Sequence, residues 1–321
     1  MRTLIIVSGG DAPGINTVIM RYLQWAQSDN NMVLGVQGGF AGLLANKIKP
    51  LHENDVAPLA GLGGSILASS REPVLAQQDA QSRFKEILQA HQIDNMLLFG
   101  GNGTLHYVLP KLLEWRVRTI ALPTTIDNDV SGTERALGFD SACQFAYPLV
   151  EGVLATARAL PGRIFLFETL GGNTGHLALA IAEGSGAHAV LVPEYSFDDV
   201  WLQERINSAI SQHGHALIVL SEGIPHASKL DTKIPELTGI RVRYTRLGHA
   251  QRGANVSHID RVLAYKMAYL AYHGFKEDVV EGMIVVRSGE VSLHTGPLSQ
   301  QLSQQTVKLP DYDTYCQING L

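Results

Sequence analysis

The sequence predicts an α/β protein with two domains, each built on a doubly wound, mostly parallel sheet of the Rossmann-like kind. Three observations predict it. Short apolar runs that end in glycine or serine recur along the chain, amphipathic segments at helical spacing separate them, and the glycine- and aspartate-rich stretches fall just after the apolar runs. A parallel sheet with helices on both faces requires this alternation, and its ligands sit outside the carboxyl ends of the strands. With 321 residues, 45% of them hydrophobic, the chain reaches the length at which one core divides into two.

Buried strands are expected, in order, in TLIIVSGG, MVLGVQGG, NMLLFGGNG, TIALPTTID, RIFLFETLGG, AVLVPE and ALIVLSEG. Helices are expected in INTVIMRYLQWAQSD, AQSRFKEILQAHQ and LQERINSAISQHG, where apolar residues recur at i, i+3 and i+4. The opening apolar run is too short for the hydrophobic core of a signal peptide. No run approaches the roughly 18 apolar residues of a membrane-spanning helix. A net charge of −5 leaves no basic footprint for nucleic acid, and no basic amphipathic stretch suggests a membrane surface. Two cysteines, Cys143 and Cys316, fit a reduced compartment, so a cytoplasmic protein is expected.

Two glycine clusters follow strands and lead into helices: SGGDAPGIN, with Gly9, Gly10 and Gly14, and GGNGT, from Gly100 to Thr104. Bare glycines let backbone N–H groups approach a polyanion; either cluster alone reads first as a tight strand-to-helix turn, and the two together point towards phosphate. LASSREP sets Arg71 after a small-residue turn, within reach of a phosphate or simply in solvent. PTTIDND places Asp127 and Asp129 either side of an asparagine with no nearby lysine. A carboxylate without a fixed cation can accept a proton from a substrate hydroxyl or help hold Mg2+, and an Asx turn is the plainer alternative. RVRYTRLGHAQRG gathers Arg241, Arg243, Arg246, His249 and Arg252, the densest cationic segment of an acidic chain, which suits a phosphorylated small substrate. SEGIP offers Glu222 at a strand end as an acceptor for a sugar hydroxyl.

In their order and spacing, SGGDAPGIN, SSR, GGNGT, PTTIDND, VPE, SEG and LGHAQRG resemble the bacterial-type, ATP-dependent family of 6-phosphofructokinases, from about Thr3 to about residue 290. The resemblance implies transfer of the ATP γ-phosphoryl group to the 1-hydroxyl of fructose 6-phosphate. It makes Asp127 the base, with Thr125 and Asp129 orienting the transferring group and its Mg2+. Glu222, His249 and Arg252 would hold the sugar phosphate, with Leu170 and Gly171 in the adjoining wall. Arg163 and Arg243 would reach that phosphate from a neighbouring subunit, which implies a homotetramer with shared active sites. Gly10, Phe40, Arg71, Gly101, Asn102, Gly103 and Thr104 would face the nucleotide, and Asn102 and Asp129 the metal. The resemblance also implies domain bounds: 1–138 with 251–301 for the donor, and 139–250 with 302–321 for the sugar phosphate.

Several positions depart from the family pattern. Asn102 replaces a metal-binding aspartate, Gly172 replaces an arginine near the donor phosphates, and Thr124 matches neither the glycine of ATP users nor the lysine of pyrophosphate users. Pyrophosphate as donor, another ketose phosphate as acceptor, or a weakly catalytic sugar-phosphate binder are therefore the alternatives. At the family's effector site the cations are replaced by Met20, Gln24, Glu53, Ser211, His213 and Gly214, while Glu194 is kept. No control by nucleoside diphosphate or phosphoenolpyruvate is expected there.

Overall fold

A computed structural model of the chain describes residues 1–70, 73–296, 298 and 307–321. The strands are β1 (Arg2–Ser8), β2 (Met32–Val36), β3 (Ile48–Pro50), β4 (Asn95–Gly100), β5 (Thr119–Pro123), β6 (Arg163–Thr169), β7 (Ala189–Leu191), β8 (His215–Ser221), β9 (Val242–Arg246), β10 (Glu281–Arg287) and β11 (Glu290–Thr295). The α-helices are α1 (Ile15–Ser28), α2 (Gly39–Leu44), α3 (Glu53–Val56), α4 (Ala80–Ala90), α5 (Asn102–Tyr107), α6 (Leu109–Glu114), α7 (Phe139–Ala159), α8 (His176–Ser185), α9 (Asp199–His213), α10 (Leu230–Thr238) and α11 (His258–Lys276), with a last helix at Tyr312–Asn319. Two compact units form: Met1–Ser141 with Arg252–Val307, and Ala142–Gln251 with Lys308–Leu321. Arg71 and the expected boundary between 301 and 302 lie outside the described residues.

Among the described residues, the first unit holds a seven-stranded sheet in the order β11-β10-β5-β4-β1-β2-β3. Its five interior strands run parallel, and β3 and β11 are antiparallel borders. In β1, Leu4, Ile5 and Ile6 are 0% exposed, because a parallel interior strand is covered on both faces. The pleat sends Ile5 and Val7 into one core with Val18, Leu97 and Met267, and Leu4 and Ile6 into another with Phe84, Leu98 and Leu112. The sheet is therefore doubly wound. Helix α1 buries Ile15, Val18, Ile19, Tyr22, Leu23 and Ala26, a stripe at helical spacing that lies against α11. It starts from Gly14, whose φ is 101° and where a Cβ would come within 2.7 Å of Leu137, so only glycine fits.

The second unit holds a four-stranded, all-parallel sheet in the order β7-β8-β6-β9. Ile164, Leu166, Ile218 and Leu220 project from it into a core closed by Leu202 and Ile206 of α9 and Leu230 and Ile234 of α10. Helix α8 packs on β8 and buries Leu177, Ala178 and Ile181. Among the described residues no helix is long and apolar enough to cross a membrane.

Candidate active site

In the first unit, the carboxyl ends of β1, β4 and β5 open on a cleft of ≈ 600 Å³ lined by Gly9, Gly10, Gly101, Thr125, Asp127 and Arg252 among others. This is where a parallel sheet leaves room for a ligand. The turn after β1 is held by hydrogen bonds from the Gly9 amide to the Ser70 carbonyl (3.2 Å) and from Ser69 Oγ to the Gly9 carbonyl (2.7 Å). After β4 the chain turns at Gly101 into α5, and Thr104 Oγ1 ties that helix back to the Ser8 carbonyl at 3.2 Å.

The glycines of this second turn are not equivalent. A Cβ on Gly101 would meet Thr125 Cβ at 3.4 Å, whereas one on Gly103 would meet nothing within 4 Å. The protein's own packing therefore leaves Gly103 open towards the cleft. Asn102 Oδ1 is buried and has no hydrogen-bond partner among the described residues. A buried amide oxygen left in this state is costly unless a donor or a cation meets it. Phe40 reaches the cleft, yet it is only 3% exposed and stacks on Phe84, so it acts chiefly as wall.

The aspartate loop follows β5. Thr124 and Thr125 are pinned by their amides, which donate to the Gly100 carbonyl (2.9 Å) and the Leu137 carbonyl (3.1 Å). The Asp127 amide donates to Thr125 Oγ1 at 3.1 Å, which closes a tight turn. Between the aspartates, Asn128 takes a left-handed φ of 53°. Its side chain donates to the Glu134 carbonyl (3.1 Å) and accepts from the Ala136 amide (2.9 Å). Asp127 and Asp129 both line the cleft.

One sequence expectation needs correction here. Asp127 is not a carboxylate remote from any cation, because Arg252 Nη2 lies 3.8 Å from its Oδ2, with the two side chains 14% and 19% exposed. Sequence distance hid the pair, since Arg252 enters from the short 3-10 turn Gly248–Gly253 just before α11. Arg252 Nη1 also donates to the Asp11 carbonyl at 3.5 Å, and its buried Nε has no acceptor among the described residues. A guanidinium so placed keeps capacity for an anion.

The remaining expected residues belong to the second unit, including His249, which is exposed on the 3-10 turn Gly248–Gly253. At the carboxyl end of that sheet, Leu170 and Gly171 follow β6, and Glu222 follows β8. The Leu170 amide donates to Gln251 Oε1 (2.7 Å) and the Gly172 amide to Glu222 Oε1 (3.0 Å). Arg163 is the first residue of β6, and Arg243 pairs with Phe165 nearby. These two arginines are therefore separated from Gly171 by most of a strand, about 3.3 Å per residue. Arg246 is engaged structurally: its guanidinium lies 4.2 Å over the Tyr244 ring, and its Nε is 3.6 Å from Glu168 Oε2. The same carboxylate accepts from the Tyr244 hydroxyl, and burial with this neighbour raises the tyrosine's pKa. Glu194 accepts from the Gly175 amide at 2.9 Å, and burial raises its pKa.

The motifs did not single out Tyr107, Val108 and Lys111, which line the cleft beyond Thr104. Their spacing from Thr104 is i+3, i+4 and i+7, one face of a helix, and that periodicity was the available signal.

Residues 2–275 match the family model described as Phosphofructokinase. The chain is 34% identical over 291 residues to the ATP-dependent 6-phosphofructokinase of Lactobacillus delbrueckii subsp. bulgaricus, covering 90% of this chain and 91% of that one. It is 33% identical over 294 residues to the enzyme of the same name from Aquifex aeolicus (strain VF5), with 90% and 91% covered. In fold it is similar to phosphofructokinase from Saccharomyces cerevisiae, with a TM-score of 0.84 and 24% identity over 94% of this chain, though it spans only 45% of that longer chain. It is also similar in fold to pyrophosphate-dependent phosphofructokinase from Marinobacter aquaeolei, with a TM-score of 0.82 and 22% identity over 99% of this chain and 91% of that one. On the extent of the family match and of these identities, the chain belongs to the phosphofructokinase family.

Proposed function

We propose that the protein is an ATP-dependent 6-phosphofructokinase that transfers the γ-phosphoryl group of ATP to the 1-hydroxyl of fructose 6-phosphate, giving fructose 1,6-bisphosphate and ADP in the cytoplasm. The observation that carries this reading is the pairing of Asp127 with Arg252 in a glycine-lined cleft at the carboxyl ends of β1, β4 and β5. Phosphoryl transfer asks little covalent chemistry of a protein: a group to take the hydroxyl proton, donors for the phosphates, and cations for the developing charge. In this reading Asp127 takes the proton from the sugar hydroxyl as its oxygen attacks phosphorus, and the bond to the ADP oxygen breaks. The Thr125 hydroxyl, which accepts from the Asp127 amide at 3.1 Å, fixes the loop that presents the base. Backbone around Gly10, Gly101 and Gly103 approaches the phosphate chain without side chains in the way.

Mg2+ accompanies the nucleotide in this proposal, and the donor set fits it. Asn102 Oδ1 is buried without a partner and Asp129 lines the same cleft, so these two oxygens would hold the ion. Among the described residues there is no cluster of three or more His, Cys, Asp or Glu side chains able to bind a metal. A sparse set suits an ion that binds through one or two protein oxygens, phosphates and water. When bound, Mg2+ offsets negative charge on the phosphates in transfer.

Glu222, His249 and Arg252, with Leu170 and Gly171, are proposed to hold fructose 6-phosphate. Arg163 and Arg243 lie towards the amino end of their sheet, away from Gly171. That separation supports a role for both in a neighbouring subunit's site, and hence a homotetramer.

The test is turnover of fructose 6-phosphate with ATP, GTP and pyrophosphate in turn, with and without Mg2+. Mg-ATP should support turnover, and Asp127→Ala should lower kcat by about 10²- to 10⁴-fold. Full activity in that variant, or turnover with pyrophosphate alone, would overturn the proposal.

A further inference from the structure

We infer that Tyr107 is a stacking platform for the base of the phosphoryl donor, and that this contact selects nucleotides over inorganic polyphosphates. The inference rests on the reading of the cleft as a phosphoryl-donor site.

Tyr107 is 76% exposed, unusual for a large aromatic side chain, yet it lines the cleft. Its one aromatic neighbour among the described residues is His106, tilted with ring centroids 6.4 Å apart, and most of the side chain stays open to solvent. It shares a helical face with Thr104, Val108 and Lys111, all of which line the same space. Lys111 Nζ donates to the Leu75 carbonyl at 3.2 Å, which fastens α6 to the turn Val74–Ala76. Leu75, Ala76, Pro73 and Val108 thereby give the cleft an apolar wall.

The cleft is thus divided in chemistry along α5. Its first turn carries Asn102, Gly103 and Thr104 beside the aspartate loop, where phosphates belong. Tyr107 ends the helix five residues after Asn102, about 7.5 Å away at the usual rise per residue. An inorganic polyphosphate has no use for an aromatic ring and an aliphatic wall at that distance. A nucleotide does, because its ribose can span the gap and lay the base on the phenol. Stacking reads the face of a base rather than its edge, so adenine and guanine gain alike. Tyr107 therefore counteracts the ambiguity left by Asn102, Gly172 and Thr124.

The experiment compares wild type, Tyr107→Ala and Tyr107→Phe in steady-state kinetics with ATP and GTP, and in inhibition by tripolyphosphate, which carries phosphates without a base. Tyr107→Ala should raise KM for both nucleotides about 5- to 100-fold with kcat little changed. Its inhibition constant for tripolyphosphate should match wild type, and Tyr107→Phe, which keeps the ring, should restore KM. An unchanged nucleotide KM in Tyr107→Ala, or an equal loss of tripolyphosphate affinity, overturns the inference. Calorimetric ATP binding separates this from failure of the functional reading. A wild-type protein that binds ATP but phosphorylates no fructose 6-phosphate sinks that reading, and a weaker Kd in Tyr107→Ala would still uphold the platform.

Discussion

Arg252 presents its guanidinium 3.8 Å from the Asp127 carboxylate, although the two residues come from distant parts of the sequence. At this spacing the contact is an ion pair rather than a close hydrogen bond, and the guanidinium steadies the negative charge of the carboxylate.

Removing the arginine therefore tests both the proposed substrate contact and the setting of the proposed base. Arg252→Ala should lower kcat/KM for fructose 6-phosphate by about 10²-fold or more at saturating ATP. Arg252→Lys should recover only part of it, because a point charge does not reproduce the guanidinium fork. Equal kcat/KM in all three proteins would remove Arg252 from the site.

Asn102 brings an oxygen but no charge to the proposed metal position, with Oδ1 buried and unpartnered. Asn102→Asp should lower the Mg2+ concentration for half-maximal activity by on the order of tenfold, since a carboxylate adds a full charge beside the ion. A Mg2+ titration that superimposes on wild type would exclude Asn102 as a ligand.

At two of the positions expected to replace effector cations, Gln24 donates to Glu53 Oε1 at 2.6 Å and accepts from Arg21 Nη1 at 3.0 Å. A carboxylate at this spot repels a phosphate instead of binding it. Fructose 6-phosphate saturation curves with and without excess ADP or phosphoenolpyruvate should coincide. A clear displacement of half-saturation by either ligand would contradict this.

Acid should weaken the second unit. His188 Nδ1 accepts from the Leu217 amide at 2.9 Å, a bond that protonation there removes. Its ring lies 4.8 Å from that of His213 and 5.3 Å from that of His215, with Arg205 also nearby. Burial first, and the neighbouring His213, His215 and Arg205 second, hold its pKa at about 4, and burial holds His176 at about 4 as well, against 6.5 for an ordinary histidine. The unfolded chain thus takes up protons below pH 6.5 that the folded chain refuses until pH 4. Stability should fall as pH drops through that window, by at most about 1.4 kcal/mol per pH unit for each histidine, and should be insensitive to these groups above it. Urea midpoints at pH 7.5, 5.5 and 4.5 measure the slope. His188→Asn, whose Oδ1 can still accept, should flatten it, and a slope unchanged in that variant would acquit His188.

Strands buried on both faces were legible because they read as continuous apolar runs, and all seven expected strands and three expected helices have counterparts in β1, β2, β4 to β8, α1, α4 and α9. Border strands were harder. β3 has three residues and β9 is a half-buried VRYTR, whose pairing is imposed by β2 and β6 rather than by its own pattern. The same cause blurred the site. Arg243 and Arg246 look alike in sequence, but the pleat sends Arg246 to the Tyr244 side, where Glu168 takes it up. The glycine turns and the aspartate loop were visible locally, whereas the approach of Arg252 to Asp127 is tertiary and has no local signature.

The asparagine between the two aspartates decides how the proposed base can move. Its amide grips residues 134 and 136, while the Glu134 amide donates to the Val286 carbonyl and the Val286 amide to Thr133 Oγ1, both on β10. The proposed proton acceptor, Asp127, is thereby riveted to the sheet instead of riding on a free loop. Its alignment is settled during folding, so little ordering of this segment remains to be done in each turnover.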